Sequence, residues 1–193
     1  MEARNYPLAK IILERSYLED KEDGFLLASG KRSQFYFDCQ KTTCRAEAMP
    51  LIGRAFITAF LAGGEVPEAV GGLTRGADPI AQSIAYASLE SGHLINMFSV
   101  RKERKDHGTS QWIEGYAARG TRVAIVDDVV TSGGSVIQAI DQCLKEGLEI
   151  VQAVVLVDRE EGGLDNIRRR LPGVPVSTVF SKSELDILRG DES

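Results

Sequence analysis

Apolar positions along this chain follow two patterns that alternate. Val123-Ala124-Ile125-Val126 is apolar at every position, which suits a strand covered on both faces of a parallel sheet rather than one with a wet side. Directly after it, Val136, Ile137, Ala139, Ile140, Cys143 and Leu144 recur at helical spacing up to Gly147, so a helix over 135–146 closed by glycine is predicted. Other segments alternate likewise: strands at Ala69–Leu73, Leu94–Val100, Thr121–Val126, Ile150–Val157 and Val176–Phe180, with helices from about Pro79 to Glu90 and near 163–171. Upstream, Leu8, Ile11, Ile12, Arg15 and Leu18 predict an amphipathic first helix. Gly24 to Asp38 reads as two short strands about a Ser29-Gly30 turn, and residues near 47–62 as a helix ending at Gly63-Gly64. Successive strand–helix–strand units imply an α/β fold. Its sheet is doubly wound, mostly parallel and flanked by helices, with ligands bound at the strands' carboxyl ends.

Two polar segments interrupt these elements and carry the candidate chemistry. The first is Asp127-Asp128-Val129-Val130-Thr131-Ser132-Gly133-Gly134-Ser135, at the end of a buried strand and the start of a helix. Its hydroxyls, its glycines and the unpaired N–H groups of a helix amino terminus together suit a phosphate. The two acids beside it would repel that phosphate, so they need another partner on the same ligand, and the vicinal hydroxyls of a ribose fit. A P-loop would require a lysine after the glycines, and a dinucleotide fingerprint would place the glycines before the acid. Neither order is present. A plain strand–turn–helix with an acidic turn remains the bland alternative.

The second segment lies between Val100 and Thr121. Arg101-Lys102-Glu103-Arg104-Lys105 holds four cations in five residues, followed by Asp106-His107-Gly108-Thr109. It reads as a solvated charge run or as a functional lid. Beside a phosphate cradle the lid is the better reading, since a mobile cationic loop can neutralise a departing anion while excluding water. His93, the only other histidine, reads as a surface residue.

Composition narrows the setting. At 193 residues the chain suits one domain that buries its own core. Cys39, Cys44 and Cys143 are widely spaced and include no Cys-x-x-Cys pair, which argues against a disulfide framework or zinc site and for a reducing, cytoplasmic location. The first fifteen residues lack a signal-peptide core, and no apolar run approaches membrane-spanning length. Neither a membrane nor, at a net charge of −5, nucleic acid is expected as a partner.

The segment 123–135 resembles the phosphoribosyl pyrophosphate signature of the type I phosphoribosyltransferases. That resemblance implies that Asp127 and Asp128 hold the ribose 2′ and 3′ hydroxyls while Thr131, Ser132, Gly133, Gly134 and Ser135 hold the 5′-phosphate, with Val129 and Val130 in the same contact segment. The loop Arg101-Lys102-Glu103-Arg104-Lys105-Asp106-His107-Gly108 is similar to the catalytic loop of the orotate phosphoribosyltransferases, a more selective match. By that likeness Arg101, Lys105 and His107 reach the pyrophosphate of a neighbouring subunit's site in a homodimer, Lys102 serves its own, and Lys105, His107 and Asp128 are the catalytic groups. Gly24 to Asp38 is similar to the family's amino-terminal hood, with Tyr36 and Phe37 flanking orotate, although core aromatics would read the same way. Val157-Asp158-Arg159 matches the strand end where the family sets an arginine against orotate, whose carboxylate a guanidinium can bind with two parallel hydrogen bonds; an exposed salt bridge is the alternative. Thr131 is expected to touch both substrates.

The turn Gly71-Gly72-Leu73-Thr74-Arg75-Gly76-Ala77-Asp78-Pro79 matches the pyrophosphate-loop region, with Arg75 as a ligand. Two positions depart from the family: Ala28 and Gly76 stand where some members carry lysine. The implied reaction joins orotate to the phosphoribosyl group of 5-phospho-α-D-ribose 1-diphosphate. Mg²⁺ is the implied cofactor, held mainly by substrate and water with no direct protein ligand. A single domain over 1–193 is expected, with the helix and hood over about 1–40 and a mobile catalytic loop over about 101–118. A phosphoribosyltransferase for another base, and a non-catalytic sensor of phosphoribosyl pyrophosphate, remain open as alternatives.

Overall fold

The computed structural model describes residues 6–20, 22–26, 32–103 and 111–191. Strand β8 (Arg122–Val130) pairs in parallel with β5 (Ala69–Gly71) on one side and with β9 (Glu149–Asp158) on the other. Beyond β9 lies parallel β10 (Val176–Ser181). Beyond β5 lies parallel β6 (Asn96–Val100), and β7 (Ile113–Gly115) closes that edge antiparallel. The result is the doubly wound, mostly parallel sheet that the sequence predicts.

The unbroken apolar runs of β8 and β9 are explained by two cores, one on each face. Ala124, Val126, Val154 and Leu156 join the core made with α1 (Tyr6–Arg15), α3 (Met49–Ala62), α4 (Ala77–Ser91) and α7 (Lys182–Asp191). Their strand neighbours Val123, Ile125, Ala153 and Val155 join the core made with α5 (Gly134–Lys145) and α6 (Gly163–Arg170). Successive side chains point to opposite faces, so a strand buried on both sides has no polar position to show. In α3, Ile52, Phe56 and Phe60 are all fully buried on the first core. Truncating either phenylalanine to alanine is expected to cost about 3–5 kcal/mol, because the cavity left adds to the lost transfer energy.

An amino-terminal layer sits against the sheet's carboxyl end. Strand β1 (Tyr17–Glu19) pairs antiparallel with β4 (Phe35–Phe37), and β2 (Phe25–Leu26) with β3 (Arg32–Ser33). A short α2 (Gln40–Thr43) follows. Helix α7 fastens this layer from outside. The Tyr17 hydroxyl donates to Asp186 at 2.9 Å, Arg189 lies over the Tyr17 ring, and Lys182 lies 4.2 Å over the Phe35 ring while pairing with Asp186.

Several boundaries differ from the sequence reading. The first helix stops at Arg15, so Leu18 belongs to β1, where it pairs with Tyr36. Helix α4 begins at Ala77 rather than near Pro79, with the proline in its first turn. Strand β8 continues through the acid pair to Val130 because β9 pairs with it over that whole length. Strand β7 lies inside the segment read as one long loop: its three residues borrow their hydrogen bonds from β6, and no three-residue run announces that by periodicity.

Candidate active site

The glycine-rich turn after β8 has the geometry of an anion cradle. Gly133 caps α5 with φ of 84°, a left-handed conformation that glycine adopts without a Cβ penalty. A Cβ there would also lie 2.9 Å from the Gly163 carbonyl oxygen. Asn166 of α6 donates to the Ser132 carbonyl at 2.8 Å, fixing the turn from behind. Ser132, Gly134 and Ser135 are exposed and Thr131 is half-buried, so the cradle opens outward at the helix's positive end.

Asp127 is buried and Asp128 half-buried at the tail of β8. The amide of Asp128 donates to Asp127 Oδ1 at 3.1 Å, and that of Val129 to Asp128 Oδ1 at 2.9 Å. Burial raises both carboxyls above the ordinary aspartate range, and for Asp127 the adjacent Asp128 charge adds to the rise. Lys102 partly offsets this at Asp127. The buried thiol of Cys39 lies close enough to feel both charges as well.

The turn after β5 presses on this pair. A Cβ at Gly76 would fall 2.5 Å from Asp127 Oδ1 and 2.9 Å from Asp128 Oδ1. Any larger residue would have to shift the carboxylate ends of both aspartates. Glycine thus stands where some family members are expected to hold lysine, and the nearby cation is Arg75, exposed and at φ of 78°.

Arg101 and Lys102 follow β6. The amide of Arg101 donates to the Trp112 carbonyl at 2.9 Å and its guanidinium pairs with Glu114 of β7 at 3.0 Å. Both contacts tie Arg101 to the β6–β7 edge of its own chain. The Lys102 carbonyl accepts a hydrogen bond from Gln138 of α5 at 3.3 Å. Lys105 and His107 lie outside the described residues, as does Ala28.

Arg159 reaches the same rim through strand register. Asp158 pairs with Val130, and the Arg159 amide donates to the Val130 carbonyl at 3.0 Å. Its side chain is buried, donating from one terminal nitrogen to Ser33 Oγ at 3.1 Å and the Phe35 carbonyl at 3.3 Å, and pairing with Glu161 at 2.9 Å. Its Nε is also buried and has no hydrogen-bond partner among the described residues. A buried donor left unpaired is costly, so this nitrogen is available to a ligand.

The aromatic pair of the hood is split by the strand's period of two. Phe37 is 3% exposed and packs edge-on against Tyr17 in the core, with centroids 4.9 Å apart. Tyr36 faces the other way, is 40% exposed and lies 5.7 Å from Phe25. The expectation that Phe37 flanks a ligand is therefore corrected: adjacent residues of one strand cannot share a face, and Phe25 is the aromatic neighbour of Tyr36. Sequence reasoning also missed Ser33, Glu161 and Gln138. Ser33 and Gln138 act across long sequence separations that no local signal marks, whereas Glu161 stands two residues after the arginine it pairs with.

Similarity to known proteins agrees with this arrangement. Residues 48–169 match the phosphoribosyl transferase domain family. Orotate phosphoribosyltransferase of Aquifex aeolicus is 44% identical over 92% of this chain and 95% of its own length, and that of Rhodopirellula baltica 40% identical over 92% and 93%. The crystal structure of Mycobacterium tuberculosis orotate phosphoribosyltransferase in complex with 5-phospho-α-D-ribosyl 1-diphosphate superposes with a TM-score of 0.78 at 30% identity, covering 95% of this chain and 99% of that one. Likeness of this extent leaves one assignment: the chain belongs to the orotate phosphoribosyltransferase family.

Proposed function

We infer that this chain is a pentosyltransferase that joins orotate to the phosphoribosyl group of 5-phospho-α-D-ribose 1-diphosphate, giving orotidine 5′-phosphate and pyrophosphate in pyrimidine synthesis. The observation that carries this reading is one sheet rim bearing both a sugar-phosphate cradle and a buried arginine with an unpaired Nε. The pyrimidine N1 attacks the anomeric carbon as the bond from that carbon to pyrophosphate breaks. Positive charge builds on the ribose and negative charge on the leaving group, so positioning and electrostatics carry the catalysis.

Each side of the rim has a role in that step. Thr131 to Ser135 and the amino terminus of α5 hold the 5′-phosphate, beside the Val129-Val130 backbone. Asp127 and Asp128 accept hydrogen bonds from the ribose hydroxyls, which are worth more once the carboxyls ionise. Arg159 offers Nε and a terminal nitrogen to the orotate carboxylate, Thr131 lies between the two substrates, and Tyr36 covers the ring. Arg75 and Lys102 face the pyrophosphate, and Lys105 and His107 complete that charge cluster, with Arg101 at its stem.

The donor set beside the cradle is two carboxylates, and no group of three or more His, Cys, Asp or Glu is placed to hold an ion among the described residues. Two carboxylates fit a hard cation whose remaining ligands are substrate oxygens and water. When bound, Mg²⁺ neutralises pyrophosphate oxygens; Asp127 and Asp128 are the residues that would touch its water shell.

A homodimer is part of this reading, with Lys105 and His107 serving the neighbouring site and a cytoplasmic location suited to the free thiols. Tyr86 and Leu89 on α4 are 73% and 65% exposed and give a second copy an apolar surface to cover. Mixing inactive Lys105→Ala and Asp128→Asn subunits should restore activity through hybrid sites; no recovery after verified exchange would place the loop within one chain. The reaction itself is tested by pyrophosphate release with orotate, uracil, hypoxanthine and adenine offered separately. Release with orotate alone is expected, and a preference for any other base would reject the reading.

A further inference from the structure

The turn at Arg75 is strained, and the side chain that holds it has not been given a role. Arg75 adopts φ of 78°, a left-handed conformation that is unfavourable for a residue with a Cβ and persists only where its surroundings enforce it. The amide of Arg75 donates to Asp78 Oδ2 at 2.9 Å. The other oxygen, Asp78 Oδ1, accepts from the Ser99 hydroxyl at 2.6 Å. An acid in the first turn of a helix gains from the helix dipole without either bond. Asp78 instead spends both oxygens on partners outside α4.

Those two partners lie on different parts of the rim. Ser99 is in β6, two residues before Arg101, and pairs in register with Glu114, the residue that holds the Arg101 guanidinium. The amide of Thr74 donates to the Val100 carbonyl at 2.8 Å, so the turn and the β6 end already run side by side. Gly76, between Arg75 and Asp78, lies against the acid pair. A change in this turn is therefore felt by the carboxylates as well as by Arg75.

We propose that Asp78 is a positioning residue for the pyrophosphate side of the site: it holds Arg75 left-handed, fixes where that cation is presented, and locks the turn to the strand from which the cationic loop departs. The inference rests on the reading of this rim as a phosphoribosyl pyrophosphate site. It predicts an effect confined to one substrate, because among the described residues neither Arg159 nor the hood shares a hydrogen bond with Asp78.

Steady-state kinetics on the full chain test it. Asp78→Ala should raise the KM for phosphoribosyl pyrophosphate about tenfold and leave the KM for orotate within about twofold. Asp78→Asn keeps an acceptor oxygen for the Arg75 amide and should recover most of the loss. Arg75→Ala should show the same one-sided rise, and the double variant should fall short of the product of the two single effects, since Asp78 acts in part through Arg75. If Arg75→Ala raises that KM but Asp78→Ala does not, or the two effects multiply, the positioning role is overturned. If Arg75→Ala changes nothing, the pyrophosphate reading of the turn fails first, and the inference with it. Should Asp78→Ala not fold, Ser99→Ala removes one bond of the pair and should raise the same KM about threefold. An unchanged KM there overturns the coupling to β6.

Discussion

The cradle and the base side of the site are built in opposite ways. Residues 127–135 are contiguous, and their shape follows from one strand end, one left-handed glycine and one helix start. The base side is assembled at a distance: Arg159 finds Ser33 across 126 positions of sequence and Phe35 across 124. Local construction leaves the cradle with few distant supports, chiefly Asn166 behind the turn and Gly76 against the acid pair. Distant construction makes the base side dependent on how the amino-terminal layer docks. Damage to the cradle should therefore be severe and confined to one substrate, whereas damage to the base side should be graded by how far each residue stands from Arg159.

The largest effect is expected at the acid pair. Asp128→Asn should lower kcat/KM for phosphoribosyl pyrophosphate by about 10²–10³-fold, the scale of removing one preorganised group; a loss below tenfold would break the local account. Asp127→Asn should lose activity similarly while making the unliganded protein more stable. Burial raises the Asp127 carboxyl, so the folded chain keeps its proton to a higher pH than the unfolded chain does, and folding stability falls as pH rises above the unfolded carboxylate value of about 3.9. The Tm advantage of Asp127→Asn should be near zero at and below that pH and grow as pH rises above it. A constant or shrinking gap would mean that burial does not disfavour the charge.

Arg159→Ala comes next. Losing a charge-assisted pair of about 1.5–3 kcal/mol should raise the KM for orotate by roughly 10–150-fold and leave that for phosphoribosyl pyrophosphate nearly unchanged. The wild type's preference for orotate over uracil should shrink in the variant, because uracil has no carboxylate. An unchanged ratio of kcat/KM values would show that Arg159 does not read that group.

The smallest effect is expected at Ser33→Ala, which removes one of the three contacts of the Arg159 terminal nitrogen. A net hydrogen bond of about 0.5–1.5 kcal/mol corresponds to a rise of roughly 2–13-fold in the KM for orotate. A shift equal to that of Arg159→Ala would erase the gradation.

The same contrast decides what could be read in the amino-acid sequence. The buried strand 123–126 and the helix after the glycine turn are periodic and contiguous, and both elements stand where the pattern predicts, the strand running on to Val130. Strand β7 and the Ser33 and Phe35 contacts of Arg159 depend on neighbours that no local window contains. Helix α7 did carry a signal that went unread. Ser181 and Glu184 form a capping box, with the Ser181 amide donating to Glu184 Oε2 at 2.8 Å and the Glu184 amide to Ser181 Oγ at 3.2 Å. Tyr36 and Phe37 show the reverse case. Their adjacency suggested a pair, and the pleat of β4 assigned them to opposite faces.

Helix α7 also sets an order of events during synthesis. Tyr17 and Asp186, which join the amino-terminal layer to this helix, stand 169 residues apart. The ribosome delivers the layer first and its clamp more than a hundred residues later, while the cradle and both strands that carry it are made in between. Domains fold as units while residues emerge at about 5–20 per second, so the amino-terminal layer waits roughly 10–30 seconds for the helix that clamps it. Until α7 arrives, the Tyr17 and Phe35 rings lack the cations that later lie over them, and slower translation through the second half of the message should lengthen that exposure.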